Sequence, residues 1–372
     1  MVKIIYFHNG ELNNTSSGSG IRPIKMLEQL RRLPIEIEQV SGQKSERKKA
    51  IQHIQNRINE GVVFTGVYVE NRTLPLGLEI SKLPFLPFSI YKPNALDHSF
   101  LEMLRTLEIP IYYFFRDVYW DFPEAFAGRW GRLKEQLILG LQKMYGKREI
   151  EFLKMEGVHP LFPSTPFLRF MENRFGCGGS ILPPGSSPLN VEKVTQSVQG
   201  ISLFYVGGIS SMYMNADVIQ DLSQITENTL LTICCRELDY LREKDRFSTL
   251  SQAQFVHGSG TELMPLYQKA NIAIFPLKSV GYGGLSYSLK IAEYLCNGLP
   301  IIAFENTVCA EIIEQYGVGW IVPDIPGGIS RLLRELGQNP EDIREKHENV
   351  KRYGHLFTWE DRAKQLLKMM TE

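Results

Sequence analysis

The stretch YGGLSYSLKIAEYLCNGLPIIA (Tyr282–Ala303) carries the local signals of a loop, a helix and a buried strand in succession. The glycine pair Gly283-Gly284 allows the backbone to approach a ligand closely. A helix that opens at this pair would present unpaired N–H groups and the positive end of its dipole, which favour an anion such as a diphosphate. Asn297-Gly298 then ends the helix, and the apolar run Leu299–Phe304 is typical of a strand buried in a parallel sheet.

Two charged residues of this predicted helix, Lys290 and Glu293, share one face near its N-terminal half. An ordinary solvated pair three residues apart is the simplest interpretation of such a pattern. The glycine-rich entry just before them favours a second interpretation, in which both side chains belong to a binding site.

Length and charge limit the class of protein. The chain has 372 residues, and single cores usually stop growing at roughly 250–300 residues, so two domains are expected. Acidic and basic residues are equal in number, 41 of each. With no overall positive field to attract phosphate backbones, a general nucleic-acid binder is not expected.

The N-terminal run Val2–Phe7 lacks the pattern of a signal peptide, and no apolar run approaches the ~20 residues of a membrane span. The five cysteines lie in apolar surroundings without metal-like spacing, which is typical of reduced thiols. We therefore expect a cytoplasmic protein, with the inner face of the membrane as an alternative location.

The first half opens like a Rossmann unit, with a strand at Val2–Phe7, a polar glycine-rich loop and a helix predicted at Pro23–Arg32. The loop lacks the spacing of a dinucleotide fingerprint. Gly18, Gly20 and Arg22 could instead hold a sugar or phosphate against the helix start, and a merely flexible loop is the alternative.

Two further segments suggest a membrane or a large acceptor. Residues 44–60 form a basic amphipathic pattern, which is usually a solvated helix face but also fits a membrane surface. Leu83–Tyr91 is apolar and interrupted by prolines, so it is predicted to be a loop or an edge segment. This segment could lie on a bilayer or line an acceptor site.

Catalytic candidates follow two predicted strands. In open α/β sheets, ligands gather at the carboxyl ends of the strands. Asp117 follows the predicted strand Ile109–Phe115 and is therefore placed as a general base, although an aspartate there is also a common helix cap. His8, at the end of the first strand, is the rival base.

The proline-rich segment Ile181–Pro188 is the predicted domain boundary. The second half repeats the alternation of strands and helices, which predicts another parallel sheet covered on both faces. Its predicted elements are strands at 202–206, 230–235, 255–258, 272–275 and 299–304, with helices at 216–224 and 262–269. Thr358 is expected to cap a final helix.

Several of these segments resemble the group 1 glycosyltransferases of the GT-B fold. The resembling segments are Glu262–Pro276, Ser288–Leu295, Gly298–Ala303, Arg116-Asp117 and Phe357–Glu360. The resemblance implies two Rossmann-like, doubly wound parallel-sheet domains facing a cleft. By this resemblance residues 1–184 would bind the acceptor, 185–354 would bind the nucleotide sugar, and 355–372 would cross back to the first domain.

The same resemblance implies roles for residues of the second domain. Glu293 matches a glutamate that binds the nucleotide ribose, and Lys290 a lysine that meets the diphosphate. The remaining donor-site candidates are Gly207 and Gly208 beneath the phosphates, the backbone at His257 beside the base, and Gly283, Gly284 and Ser288 at the helix entry.

The chain departs from the family pattern at two places. Leu285 stands where many retaining members carry a carboxylate, and the segment after Gly207-Gly208 lacks an arginine and a lysine. Lys290, with Arg22 or Arg236, would then neutralise the leaving diphosphate. The stereochemistry of transfer stays open.

The sequence thus predicts a glycosyltransferase that moves a sugar from a nucleotide-diphosphate donor, with a UDP-sugar favoured. The acceptor would be a glycan or a lipid-linked glycan of bacterial polysaccharide or glycoconjugate synthesis, reached through peripheral membrane contact. No metal and no separate cofactor is expected. The alternatives are a sugar-nucleotide epimerase of the same fold, which activates water, and a non-catalytic partner subunit that binds nucleotide weakly.

Overall fold

The computed structural model describes residues 2–13, 18–82, 89–122, 132–189, 200–211, 213–225, 228–278 and 281–372. The chain divides into two compact units. The N-terminal unit comprises the residues up to Pro183 together with Arg362–Glu372, and the C-terminal unit comprises Pro184–Asp361. Each unit contains a six-stranded sheet.

The described part of the N-terminal unit alternates strands and helices. Its strands are β1 Lys3–Phe7, β2 Glu36–Val40, β3 Gly66–Glu70, β4 Leu78–Lys82, β5 Ser89–Pro93, β6 Ile111–Phe114, β7 Val158–Phe162 and β8 Ser180–Ile181. Its helices are α1 Gly18–Leu30, α2 Lys44–Asn59, α3 Ala95–Thr106, α4 Arg132–Leu153 and α5 Thr165–Phe175.

The sheet of this unit has the strand order β2-β1-β3-β6-β7-β8, and its strand pairs are parallel. Every residue of β3 is buried, which fits a central strand covered on both faces. After β2 the chain crosses over β1 to form β3 on its other side. The strand order therefore reverses between β1 and β3, the point at which open α/β sheets bind ligands.

An antiparallel hairpin stands apart from this sheet. Its strands β4 and β5 pair in the register Leu78↔Pro93 to Lys82↔Ser89. The predicted irregular segment Leu83–Tyr91 thus ends in a regular strand, and residues 83–88 lie outside the described part of the chain.

The described part of the C-terminal unit repeats the alternation. Its strands are β9 Ile201–Val206, β10 Thr229–Cys234, β11 Ala253–Val256, β12 Ile272–Phe275, β13 Ile301–Phe304 and β14 Gly319–Val322. Its helices are α6 Ala216–Leu222, α7 Glu237–Glu243, α8 Met264–Lys269, α9 Leu289–Cys296, α10 Val308–Tyr316, α11 Gly328–Gln338 and α12 Pro340–Tyr353.

This second sheet is also parallel, with the order β11-β10-β9-β12-β13-β14, and its order reverses between β9 and β12. Alternate residues of β9 enter two different cores, because successive side chains of a strand point to opposite faces. Leu203 and Tyr205 pack in the cluster that includes Ile329 of α11. Phe204 packs in the cluster that includes Ala292 of α9. The sheet is therefore covered by helices on both faces, as predicted.

The entry to α9 differs from the prediction. The glycine pair Gly283-Gly284 does not open the helix, because residues Gly281–Gly284 form a separate 3-10 turn. A Cβ on Gly283 would lie 2.6 Å from the carbonyl oxygen of Lys278, so this turn is closely packed. The helix begins at Leu289, where the hydroxyl of Ser288 accepts a hydrogen bond from the Lys290 N–H. The prediction that the pair supplies the helix N-terminus is wrong.

The start of α1 also differs from the prediction. Gly18 and Gly20 lie in the first turns of α1 rather than in a loop, so this helix begins five residues before the predicted Pro23. The hydroxyl of Tyr6 donates to the carbonyl of Pro23, which ties the helix to the first strand.

The basic helix α2 is less exposed than its sequence suggests. Arg47 is buried and forms ion pairs with Asp97 and Glu79. Arg57 pairs with two glutamates of β2. The predicted basic face therefore keeps only the exposed lysines Lys44, Lys48 and Lys49.

The final helix, α13 Trp359–Thr371, begins as predicted, since the Thr358 hydroxyl accepts from the Asp361 N–H at 3.2 Å. From Arg362 onward the helix belongs to the N-terminal unit, where the hydroxyl of Tyr112 donates to the carbonyl of Met369. No helix in the described ranges is long and apolar enough to cross a bilayer.

Candidate functional site

The first candidate site lies at the carboxyl edge of the C-terminal sheet, where its strand order reverses. Gly207-Gly208 follows β9, and α9 is the helix that follows the neighbouring strand β12. Predicted donor residues thus come from both sides of the reversal. We call Gly207-Gly208 the glycine turn.

Gly207 and Lys290 lie against each other. The backbone of Gly207 has φ +141°, a value that L side chains rarely adopt. A Cβ at this position would lie 2.1 Å from Cε and 2.2 Å from Nζ of Lys290. A side chain here would have to displace the lysine head group, so the turn and the helix contribute to one site.

The ammonium group of Lys290 is held by two tyrosines. Its Nζ donates to the hydroxyl of Tyr205 at 3.1 Å. It also lies 4.9 Å from the ring centre of Tyr205 and 4.3 Å from that of Tyr213, within cation–π range. Burial lowers the pKa of Lys290 to about 8, while the negative charge of Glu293 opposes this shift. No carboxylate within the described ranges lies within 4 Å of its Nζ.

Glu293 stands one helical turn after Lys290 and is half-buried. Burial raises its pKa, and the Tyr267 hydroxyl and the Lys290 charge both act in the opposite direction. The pair is therefore not the solvated surface pair that spacing alone would suggest. It forms a partly desolvated cation and carboxylate beside the glycine turn.

Two other donor-site candidates occupy the same unit. The exposed His257 follows β11, and its Nδ1 lies 2.9 Å from the carbonyl oxygen of Cys235. Ser288 caps α9, so its hydroxyl is already engaged with the backbone.

The segment after the glycine turn is fixed by an arginine that the sequence analysis did not identify. Arg246 donates from Nη1 to the carbonyl of Ile209 at 3.2 Å and from Nη2 to the carbonyl of Met214. Since no local pattern marks this contact, only the tertiary structure reveals it. Arg246 thereby holds the segment that contains Tyr213, the tyrosine whose ring lies beside Lys290.

The second candidate site lies at the carboxyl edge of the N-terminal sheet. His8 follows β1, and its Nδ1 lies 2.7 Å from the carbonyl oxygen of Glu70, the last residue of β3. Burial lowers the pKa of His8 to about 4, and the charges of Arg72 and Arg116 act in the same direction. His8 is therefore neutral near pH 7.

Arg22 is buried in the N-terminal unit, where it pairs with a glutamate. Its Nε donates to Oε1 of Glu70 at 2.8 Å, and its guanidinium lies 3.5 Å from the centre of the Phe114 ring. Arg22 is only 2% exposed. Its contacts are those of a residue that neutralises the fully buried Glu70, and they do not support the predicted role of holding a ligand.

Asp117 follows β6 and is 7% exposed. One of its oxygens, Oδ1, has no hydrogen-bond partner among the described residues. Burial raises the pKa of Asp117 to about 6, against the opposing effects of the Arg116 charge and a hydrogen bond from Thr73. A carboxylate that ionises near neutral pH and keeps one unpaired oxygen suits a general base.

Glu70, Asn71 and Arg72, which follow one another at the end of β3, were missed by the sequence analysis. The apolar segment Val62–Val69 predicts a strand, so the rule that ligands gather at strand ends could have identified them. The side-chain amide of Asn71 donates to Oε1 of the buried Glu149. Burial raises the pKa of Glu149 to about 8.

A comparison with known protein families matches most of the C-terminal unit. Residues 201–339 match the family described as glycosyl transferases group 1. This part of the chain is similar to group 1 glycosyltransferases. The resemblance predicted from its motifs is therefore confirmed, and the matched range includes both the glycine turn and α9.

The whole chain is similar in fold to solved glycosyltransferases. It aligns over its full length with WaaG, described as a glycosyltransferase involved in lipopolysaccharide biosynthesis, at 14% identity, full coverage of that chain and a TM-score of 0.56. It likewise aligns with Anabaena Alr3699/HepE, solved in complex with UDP and glucose, at 11% identity, full coverage of both chains and a TM-score of 0.61. The predicted GT-B fold class is thereby confirmed.

A curated relative matches a shorter part of the chain. Glucosyltransferase 3 of Streptococcus parasanguinis is 30% identical over 80 residues, which are 22% of this chain and 23% of that protein. The chain therefore aligns with less than a quarter of the length of this relative. The described residues of the C-terminal unit contain no group of three or more His, Cys, Asp or Glu side chains arranged for a metal ion.

Proposed function

We propose that the protein transfers a sugar from a nucleotide-diphosphate sugar to a hydroxyl group of a glycan or lipid-linked acceptor. The observation that supports this most directly is the contact between Gly207 and Lys290 in the C-terminal unit. It combines close backbone approach with a confined cation at the reversal point of the sheet. Both features favour a diphosphate.

In this proposal the C-terminal unit binds the donor. Lys290 neutralises the charge that grows on the diphosphate as the bond between sugar C1 and phosphate oxygen breaks. The ammonium is already ordered by the Tyr205 hydroxyl, so little reorganisation is needed when the charge develops. Glu293 accepts hydrogen bonds from the ribose hydroxyls, and the backbone at His257 contacts the base. A UDP-sugar is the favoured donor, in line with the UDP and glucose bound to the Anabaena protein.

The N-terminal unit binds the acceptor in the same proposal. Asp117 removes the proton from the acceptor hydroxyl, whose oxygen forms the new bond to C1 while the nucleoside diphosphate leaves. This assignment applies to inverting transfer. A pKa of about 6 leaves Asp117 ionised at pH 7 and makes it a stronger base than an ordinary aspartate. His8 is the rival, because Nδ1–H donation to Glu70 would leave Nε2 as an acceptor.

The donor site is tested by isothermal titration of UDP, GDP, ADP and dTDP into wild type and Lys290→Ala. Binding of one nucleotide that weakens at least tenfold in the variant supports the site and names the base. Binding that is equal in both proteins refutes the role of Lys290. If no nucleotide binds the wild type, the non-catalytic alternative gains support.

The base is tested by turnover with the identified donor. Asp117→Asn keeps the shape of the side chain but cannot accept a proton, so a loss of about a hundredfold or more in kcat is expected. If Asp117→Asn stays within about threefold of wild type while His8→Ala abolishes turnover, His8 is the base. Release of free UDP without any acceptor would instead indicate the epimerase alternative.

Membrane contact is a further part of the proposal. Lys44, Lys48 and Lys49 on α2 remain available to anionic lipids, whereas Arg47 is buried in ion pairs. Sedimentation with anionic vesicles at low salt tests this contact, and the triple Lys→Gln variant is the matched comparison. A wild-type protein that stays in the supernatant refutes it.

A further inference from the structure

The residues after β3 include an arginine, Arg72, that forms no ion pair with any carboxylate in the described part of the chain. Arg47 is paired with Asp97 and Glu79, and Arg22 and Arg116 share Glu70. These residues account for the carboxylates that pair with arginines along this edge.

Arg72 differs from these arginines. Among the described residues, no carboxylate lies within 4 Å of its guanidinium. Arg72 is an exposed residue, so an anion from solvent can reach it. Desolvation and the positive charges of Arg47 and Arg116 lower its pKa, whereas Glu79 and Asp97 oppose this shift from beyond ion-pair distance. An anion that binds beside the guanidinium would supply the direct counter-ion that these carboxylates do not.

The side chain of Arg72 is nevertheless held in place. Its Nη1 donates to the carbonyl of Asn9 at 3.1 Å. A Cβ on Gly10 would lie 3.1 Å from Nη1 and 3.2 Å from Cδ, so the missing side chain of Gly10 lets the arginine lie against the backbone. The backbone N–H of Arg72 donates to Oδ1 of Asn71, whose amide is tied to Glu149. One guanidinium N–H is thus used for anchoring, and the others stay available to a ligand.

Two unpaired acceptors belong to the same group of residues. Oδ1 of Asn9 is buried without a hydrogen-bond partner in the described part of the chain, and Asn9 is 6% exposed. Oδ1 of Asp117 is unpaired in the same way. Thr73, which follows Arg72, is a hydrogen-bond neighbour of the Asp117 carboxyl group. Buried acceptors without donors are rare in folded proteins, and hydroxyl groups of a sugar would satisfy them.

We infer that the N-terminal unit takes an acceptor that carries a phosphate or carboxylate group as well as sugar hydroxyls, and that Arg72 binds the anionic group. The inference rests on the proposed function, which assigns the acceptor to this unit. It adds the charge of the acceptor, which neither the fold nor the family specifies. Paired N–H groups of an arginine match the oxygens of phosphate and carboxylate.

The test uses the full-length Lys290→Ala protein, so that the donor site does not bind the probes. Glucose 6-phosphate, glucuronate, geranyl diphosphate and methyl glucoside are titrated into this parent and into the same protein with Arg72→Gln. At least one anionic probe is expected to bind the parent and to lose about tenfold or more in affinity with Arg72→Gln. Methyl glucoside is expected to bind more weakly than that probe, and added NaCl should weaken only the anionic probe.

The four probes also distinguish the source of the anion. A preference for glucose 6-phosphate indicates a phosphorylated glycan, one for geranyl diphosphate indicates a lipid-linked acceptor, and one for glucuronate indicates an acidic sugar. Arg32→Gln is the matched control, because Arg32 is an exposed arginine that follows α1, and this variant should bind as the parent does. Arg72→Lys, which keeps the charge but loses the paired N–H groups, should fall between the parent and Arg72→Gln.

Equal affinity of the parent and Arg72→Gln for every anionic probe overturns the inference, as does methyl glucoside binding as tightly as the anions. A melting temperature unchanged from the parent shows that Arg72→Gln is folded. The outcome is separable from that of the donor test. Nucleotide binding without anion binding at Arg72 leaves the transferase proposal in place with a neutral acceptor. Anion binding without nucleotide binding removes the transferase proposal but keeps the site.

Discussion

The substitution Gly207→Ala tests whether the glycine turn and Lys290 form one donor site. The new Cβ would lie 2.1 Å from Cε and 2.2 Å from Nζ of Lys290, whereas ordinary van der Waals contact begins near 3.4 Å. The ammonium must therefore move by roughly 1 Å or more, and alanine must also adopt the unfavourable φ of +141°. Both effects remove Lys290 from the position fixed by the hydroxyl of Tyr205.

The expected loss follows from the interaction that is removed. A hydrogen bond to a charged group contributes about 1.5–3 kcal/mol, which corresponds to roughly a tenfold to hundredfold weaker affinity for the nucleoside diphosphate. The assay is isothermal titration of that nucleotide, with melting temperatures recorded in parallel. Gly337→Ala is the matched control, because a Cβ on Gly337 meets no atom within 4 Å, and it should bind as wild type does.

The double variant Gly207→Ala/Lys290→Ala completes the test. If Gly207 acts through Lys290, the two losses should not add, because residues in contact couple energetically. Wild-type affinity in a folded Gly207→Ala protein would refute the reasoning. Fully additive losses would show that the glycine turn and the lysine contact the ligand independently.

Three further predictions concern pH and stability. Lys290 is a cation below its pKa of about 8 and loses its charge above it, so nucleotide affinity should fall as the pH rises through 8. Isothermal titration of the nucleotide into Lys290→Met at the same pH values should not show this fall. Asp221 accepts from two backbone N–H groups at the start of α11, so Asp221→Ala should lower stability by about 2 kcal/mol in urea denaturation, and an unchanged midpoint would contradict the contact. On α4, Gly146→Ala should lower the melting temperature, because the new Cβ would lie 2.3 Å from the Trp120 ring. A Cβ on Gly140 of the same helix meets no atom within 4 Å, so Gly140→Ala should raise the free energy of unfolding by up to about 1 kcal/mol. The opposite order of these two variants would show that Trp120 does not pack there.

Much of the fold could be predicted from the sequence because its signals are local. The apolar run at 299–304 contains β13 Ile301–Phe304. The pattern of Pro166–Phe175 likewise predicts a helix, which corresponds to α5 Thr165–Phe175. Thr358 caps the final helix through a hydrogen bond to a residue three positions away. Strand burial, helix caps and turn residues depend on neighbours a few positions apart, so the sequence displays them directly.

The local signals failed where tertiary packing competed with them. Gly283-Gly284 was predicted to open a helix, but the pair packs as a separate 3-10 turn against the carbonyl of Lys278 and Ser288 caps the helix instead. Arg47 was predicted on a basic surface, but two carboxylates from distant elements bury it. The amphipathic pattern of residues 44–60 gives no sign of these two carboxylate partners.

By itself, the sequence determined the class of the fold and the identity of Lys290 and Asp117 as candidates. Only the tertiary structure decided their surroundings, namely the tyrosines around Lys290 and the desolvation of Asp117. It also left Arg72 without an ion pair among the described residues. The reason is physical. The strand order of a parallel sheet places segments side by side that are far apart in the chain. The order reverses between β1 and β3 in the first sheet and between β9 and β12 in the second, and residues from distant segments meet at these two points.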